Sequence, residues 1–199
     1  MSTFDNKAKE WDKLPLRVQN AINIAEAIKK RVHLNKDMEV MDFGVGTGLL
    51  GFEIAKEVKK VYGIDTSKKM LEELEAKNKP DLAIEPIFAD ITKEPLPLKV
   101  DGIVSSMTLH HIEDLEHFFE TIRNNLKPGG FIAIADLESE DGSFHSDNTG
   151  VHHFGFDEKK LKEIVQNAGF KDAAFETIHT INKPHRDFPV FLLTAFKRD

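Results

Sequence analysis

The stretch Val40-Met41-Asp42-Phe43-Gly44-Val45-Gly46-Thr47-Gly48 decides the fold. Val40, Met41 and Phe43 have the apolar character of a buried strand end, and three glycines follow at alternate positions. Leu49-Leu50-Gly51-Phe52-Glu53-Ile54-Ala55 then opens a helix. A strand, a glycine turn and a helix start bring unpaired N–H groups and Cβ-free backbone up to a ligand, which suits an adenosine-containing molecule. Val61-Tyr62-Gly63-Ile64-Asp65 reads as the next strand. Its terminal Asp65 stands twenty-one residues past Gly44, the spacing at which a carboxylate meets a ribose diol. Position 49 is leucine, so the third glycine of the dinucleotide fingerprint GxGxxG is missing.

Outward from this stretch, the composition is that of an ordinary globular domain. The 199 residues are 40% hydrophobic and 31% charged, enough for one domain with a real core. No apolar run approaches the ~20 residues of a membrane span. The opening Met1-Ser2-Thr3-Phe4-Asp5 has neither the basic start nor the apolar run of a signal peptide, so the expected location is the cytoplasm. The absence of cysteine excludes disulfides, zinc–thiolate sites and thiol catalysis. A net charge of −7 argues against sequence-independent nucleic-acid binding, which needs clustered Lys and Arg.

Phe4, Ala8 and Trp11 fall at helical spacing within residues 2–12, and Pro15 starts a second helix with the stripe Val18, Ile22, Ala25 and Ile28. Strands are expected at 38–43 and 60–65 with a helix over 48–58 between them. Thr66-Ser67 caps a helix to about Lys77 that buries Met70, Leu71 and Leu74. A third strand spans 82–88, where Pro86 favours a sheet edge, and Asp90-Ile91 follow its end. Residues 100–106 form a short apolar fourth strand whose end, Ser106, leads into Met107-Thr108-Leu109-His110-His111 on the ligand side. Asp114 begins a helix that stops at Leu126-Lys127-Pro128-Gly129-Gly130, and Phe131–Asp136 is the fifth strand. Asp157 caps the next helix, and 173–181 and 188–196 close the chain as two strands with no helix between them. The expected fold is therefore α/β: a Rossmann-like sheet of seven strands, mostly parallel, with an antiparallel C-terminal edge hairpin, helices on both faces and an N-terminal helical cap.

The run from Val40 to Gly48 is similar to the (V/L)(L/M)D(L/F)GxGTG motif of class I S-adenosylmethionine-dependent methyltransferases. The segment through Leu109-His110-His111 and the combination Leu126-Lys127-Pro128-Gly129-Gly130 resemble that family's later signatures. The opening Phe4-Asp5 through Trp11-Asp12 resembles the cap of its ubiquinone/menaquinone-biosynthesis-like group, the small-molecule enzymes of methyltransferase types 11 and 12. The resemblance implies S-adenosyl-L-methionine as cofactor, S-adenosyl-L-homocysteine as product and a small-molecule methyl acceptor. It places Asp42, Gly44, Gly46, Thr47 and Gly48 around the methionine part. Asp65 then serves the ribose and Met70 and Asp90 the adenine, with Thr66 and Ile91 also at the cofactor site. His111 lies near the methionyl end, and Ser106 is a further cofactor-site residue. The (D/N)-P-P-(Y/F) segment of amino-methyltransferases acting on DNA bases or protein glutamine is absent, which argues against those substrates.

Residues 139–155 form a long polar stretch that nonetheless holds Phe144, His145, His152, His153 and Phe154. Long loops of this kind are often lids, and Gly142 and Gly150 suit hinges. The chain thus reads as one domain over 1–199, with a cap at 1–36 and a cofactor-binding core at 37–199 that carries a lid at 139–155. Methyl transfer from a sulfonium needs orientation more than acid–base help, and a base only if the acceptor loses a proton. His111, His152 and His153 are the candidates for that role, with His110 and His145 nearby in sequence. His145, His152, His153, Asp136 and Glu138 match no metal-ligand spacing, so no metal is expected. Two other readings stand beside the enzyme: a non-catalytic S-adenosylmethionine-binding module, and an NAD-dependent oxidoreductase.

Overall fold

The structure, a computed structural model, describes residues 4–198. Ser2 and Thr3 of the expected N-terminal segment lie outside the described residues. The strands are β1 Glu39–Phe43, β2 Lys60–Asp65, β3 Ile84–Phe88, β4 Val100–Ser106, β5 Leu126–Leu137, β6 Phe170–Lys183 and β7 Arg186–Lys197. They form one sheet in the order β3-β2-β1-β4-β5-β7-β6. All neighbours from β3 to β5 pair in parallel, whereas β7 runs antiparallel to both β5 and β6. This is the mixed sheet with a C-terminal hairpin that the sequence predicts. Pro86 lies on β3, at the sheet edge, where a missing N–H does not break a ladder.

The helices α1 Pro15–Arg31, α2 Leu49–Ala55, α3 Lys68–Lys77, α4 Leu115–Asn124 and α5 Glu158–Asn167 cover both faces. Alternation along the buried strands sorts the two cores. Met41, Phe43, Ile103, Ile132 and Ile134 pack with Phe118 and Phe119 of α4 and with Leu161 and Val165 of α5. Val40, Val104, Ala133 and Ala135 pack with Ile24 and Ile28 of α1, Leu50 and Ile54 of α2, and Leu71 and Leu74 of α3. Period-two side-chain direction makes one strand serve both layers. Phe118 and Phe119 are fully buried, and each such ring contributes roughly 1.5–3 kcal/mol. The caps are those expected: Ser67 Oγ accepts from Met70 N–H, Asp114 from His117 N–H and Asp157 from Lys160 N–H.

β3 starts at Ile84 rather than 82, and three further boundaries differ from the sequence expectation. The last hairpin is longer at both ends, because Asn182 pairs with Asp187 and Lys183 with Arg186 and carry the ladder to its tip. Strand β5 starts at Leu126, opposite Val100, and bulges before Phe131 meets Gly102. Helix α2 ends at Ala55 rather than 58, since the chain must turn there for Lys59 N–H to reach the Met38 carbonyl at 2.9 Å. Among the described residues, no helix is long and apolar enough to cross a membrane.

Candidate functional site

The strand order reverses between β1 and β4, and the carboxyl ends of the strands there are where open α/β sheets take their ligands, in the crevice between the flanking loops. Two chain segments meet across it. Ser105 Oγ donates to the Phe43 carbonyl at 2.7 Å, and a Cβ on Gly44 would stand 2.3 Å from Thr108 Oγ1. Gly44 is therefore required by the close approach of the segment after β4. Gly46 has the opposite surroundings: at φ +54° a Cβ there would meet nothing within 4 Å. Its open side is the cradle that a ligand would share. Met107, at φ 54°, is a non-glycine residue in the left-handed region, and this turn aims the following histidines back over the strand ends.

Asp65, at the end of β2, holds the glycine loop. Asp65 Oδ2 accepts from Gly46 N–H and Oδ1 from Ser67 N–H, both at 2.8 Å. Burial pushes the Asp65 carboxyl up, and hydrogen bonds from Ser67, Gly46 and Thr66 work against that rise. Thr66 itself is exposed. Ala89 N–H bonds to the Asp65 carbonyl at 3.2 Å, which sets Asp90 and Ile91 beside the end of β2. The Asp90 carboxylate takes up Thr92 and Lys93. The Met70 and Ile91 side chains are buried, so they present packing surface.

Asp42 lies beneath the glycine loop at 1% exposure, and its Oδ2 has no hydrogen-bond partner among the described residues. Burial, then the Asp65 charge, push its carboxyl well above the usual range, opposed by the Gly51 backbone N–H. Because the folded pKa is raised, Asp42 favours the fold below about pH 3.9, the ordinary value, and this contribution is lost as pH rises through the folded pKa. Asp42→Asn is therefore expected to raise the Tm at pH 8, with the gain shrinking towards pH 4. Scanning fluorimetry of the two proteins checks it, and a gain independent of pH would refute it.

The N-terminal segment, which the sequence marks as a cap, is fastened over the strand ends by contacts that sequence reading did not single out. A 3-10 turn, Ala8–Lys13, follows Phe4 and buries Ala8. Asp12 accepts from Thr47 Oγ1 at 2.5 Å and pairs with Lys77 Nζ at 2.5 Å. Asp5 accepts from Ser67 Oγ at 2.7 Å. The Phe4 ring packs edge-on against Trp11 and His111, at 5.9 and 5.2 Å, and Arg17 lies over Trp11 at 3.8 Å.

Residues 139–155 pack against the opposite wall without regular secondary structure. His111 Nδ1–H donates to the Gly150 carbonyl at 2.7 Å, and His152 N–H donates to the His110 carbonyl at 2.9 Å. His153 Nε2–H donates to the Ile112 carbonyl at 2.8 Å, while the His152 side chain is exposed. Lys183 at the hairpin tip reaches the Phe144 carbonyl and lies over the Phe144 ring. Burial pushes the His111 imidazole below its ordinary value, helped by the neighbouring His110. Burial, then His110, His111 and Lys183, push His145 down to about 4.

Sequence reading also missed a pair: His110 Nδ1 lies 2.8 Å from Asp136 Oδ1, and both residues are fully buried. The signal was available in the order of the strands. β4 and β5 are parallel neighbours with Ser106 opposite Ala135, so a histidine after one strand lies beside an aspartate ending the other.

This sheet, glycine loop and pair of acidic strand ends define a Rossmann-like α/β domain built for an adenosine-containing ligand. Residues 40–130 match the family described as a methyltransferase domain. An uncharacterised methyltransferase of Schizosaccharomyces pombe is 30% identical over 154 residues, which cover 68% of this chain and 54% of that protein. The chain thus spans about half the length of that relative. An uncharacterised methyltransferase of Bacillus pumilus is 26% identical, with 100% of this chain and 98% of that protein covered. Among solved structures, the complex between the Haloferax volcanii Trm112 methyltransferase activator and a methyltransferase matches with a TM-score of 0.79. It is 20% identical and covers 100% of this chain and 99% of that one. Residues 40–130 thus carry a methyltransferase domain, and the sheet is the fold of solved S-adenosylmethionine-dependent methyltransferases, whose cofactor is S-adenosyl-L-methionine. The methyltransferase-domain match decides against the nicotinamide-dependent alternative. The residues present fit the cofactor: Gly46 leaves its cradle open, and Asp65 offers acceptor oxygens at the adjoining strand end.

Proposed function

We propose that this chain is a single cytoplasmic domain over 1–199, a cap at 1–36 on a core at 37–199, that methylates a small-molecule acceptor. The bound cofactor supplies an activated methyl group for in-line displacement. Gly44, Gly46, Thr47 and Gly48 line its methionine part, with Asp42 supporting them from below. Asp65 and Thr66 take the ribose, and Met70, Asp90 and Ile91 border the adenine. Ser106 and His111 face the methionyl end. The protein's main task is to orient the acceptor and exclude water, a contribution on the order of 7–11 kcal/mol.

The roof carries the reading. Phe4 against His111, Asp5 on Ser67 and Asp12 on Thr47 close the crevice from one side. Segment 139–155, fastened to His110, His111 and Ile112, closes it from the other and serves as the acceptor's lid. Strand ends covered from two sides by segments bearing aromatic rings suit a small acceptor, whereas a polymer needs an open groove. The net charge of −7 also disfavours a phosphate backbone.

The test is a cell extract split by size and incubated with the chain and methyl-labelled cofactor. Label is expected in the small-molecule fraction. Label in protein or RNA would overturn the acceptor class. No label in any fraction, with S-adenosylhomocysteine still raising the Tm, would instead identify a binding module.

A further inference from the structure

We propose that His110, oriented by Asp136, accepts the proton that the methyl acceptor gives up. The acceptor is then a neutral hydroxyl or amine whose reacting atom carries hydrogen. This rests on the reading of the chain as a small-molecule methyltransferase.

The geometry begins with the strands. Met107 N–H bonds the Ala135 carbonyl at 2.8 Å, so the turn Leu109–His111 lies directly over the end of β5. There Asp136, with no exposed surface, faces His110 Nδ1 with both oxygens, at 2.8 and 3.0 Å. It also accepts the backbone N–H of His110 at 3.1 Å and of Leu137 at 2.8 Å. A carboxylate facing Nδ1 holds the proton there and leaves the lone pair on Nε2. Nε2 is buried and has no hydrogen-bond partner among the described residues. A buried acceptor without a partner is uncommon enough to need an explanation, and a substrate donor supplies one.

The other histidines lack this arrangement. His111 and His153 each give a ring N–H to a carbonyl oxygen, at Gly150 and Ile112, so neither ring is oriented by a hydrogen-bonded carboxylate. The groups facing His110 are Asp136 from β5, His111 from its own turn and His145 from segment 139–155, with ring centroids at 4.1 Å to His111 and 4.9 Å to His145. Among the described residues, these histidines are not arranged to hold a metal ion. Nε2 of His145 is likewise buried and unpartnered, and burial keeps that ring neutral. His145 is thus the cover that an entering acceptor displaces.

In the reaction, the bond from the acceptor oxygen or nitrogen to the methyl carbon forms as the carbon–sulfur bond breaks. Sulfur keeps that electron pair, and the acceptor's proton passes to His110 Nε2. The resulting imidazolium stands against the Asp136 carboxylate and later returns the proton to solvent.

The test uses the full chain, labelled S-adenosylmethionine and the small-molecule fraction of a cell extract as probe. Rates are compared across pH for wild type, His110→Gln, Asp136→Asn and His110→Gly with and without free imidazole. His110→Gln is expected to lose about 10²–10⁴-fold in rate while its S-adenosylhomocysteine affinity stays within about twofold. Its residual rate should climb with pH as the acceptor ionises unaided, Asp136→Asn should lie between, and imidazole should restore part of the His110→Gly rate. A purely structural pair would lower the Tm without that pH dependence or rescue. Wild-type turnover in His110→Gln overturns the proposal, as does a product with a new fixed positive charge or His110→Gly that imidazole does not rescue. No label from the wild type overturns the small-molecule reading itself, and this inference with it.

Discussion

Gly46→Val is expected to abolish cofactor binding and to leave a folded protein. A Cβ at Gly46 would meet nothing within 4 Å, so the valine methyls would project into the cradle rather than into the core. At φ +54° a β-branched residue is strained by about 1–3 kcal/mol. That is a fraction of the roughly 5–15 kcal/mol that keeps a domain folded. The substitution therefore acts on the ligand more than on the fold. Calorimetry with S-adenosylhomocysteine checks it, beside a melting curve that reports folding. Equal affinity in the two proteins would remove the loop from the site.

The second large effect is at Asp65. Asp65→Ala should weaken S-adenosylmethionine binding by ~1.5–3 kcal/mol, as expected for hydrogen bonds to a charged group. This is roughly ten- to a hundredfold in Kd. The carboxylate has two duties, because its oxygens hold the N–H groups of Gly46 and Ser67 at 2.8 Å. Alanine removes the ligand contact and also releases the glycine loop. Asp65→Asn keeps one acceptor oxygen and should lie between alanine and wild type. Asp90→Ala should cost less, since its carboxylate already serves Thr92 and Lys93 and one adenine contact is at stake. A larger loss at Asp90 than at Asp65 would reverse the two assigned roles.

Local order along the chain carried most of the fold. The alternating apolar strands, the caps Ser67, Asp114 and Asp157, the glycine loop and the helix-free closing pair each follow from short-range spacing. Hydrophobic period and capping act over a few residues, so one sequence suffices to read them. Pro86 marked an edge for the same local reason, a missing donor. Asp65, which ends β2, and Asp90, two residues past β3, could be placed at strand ends from the same short-range spacing.

Only tertiary structure decided what joins distant segments. Nothing near Asp12 or Asp5 in the chain points to Thr47, Lys77 or Ser67, yet these contacts roof the crevice. Nothing near His110 points to Asp136, twenty-six residues on, until β4 and β5 lie side by side. The same holds for segment 139–155, whose polarity reads as a loose lid but whose backbone is fastened to His110, His111 and Ile112. Side-chain pairs of this kind depend on strand order and on the direction of a turn such as Met107, which are properties of the whole sheet. Periodicity along the chain specifies which face of a strand is buried; the packing of the sheet alone specifies which imidazole meets which carboxylate.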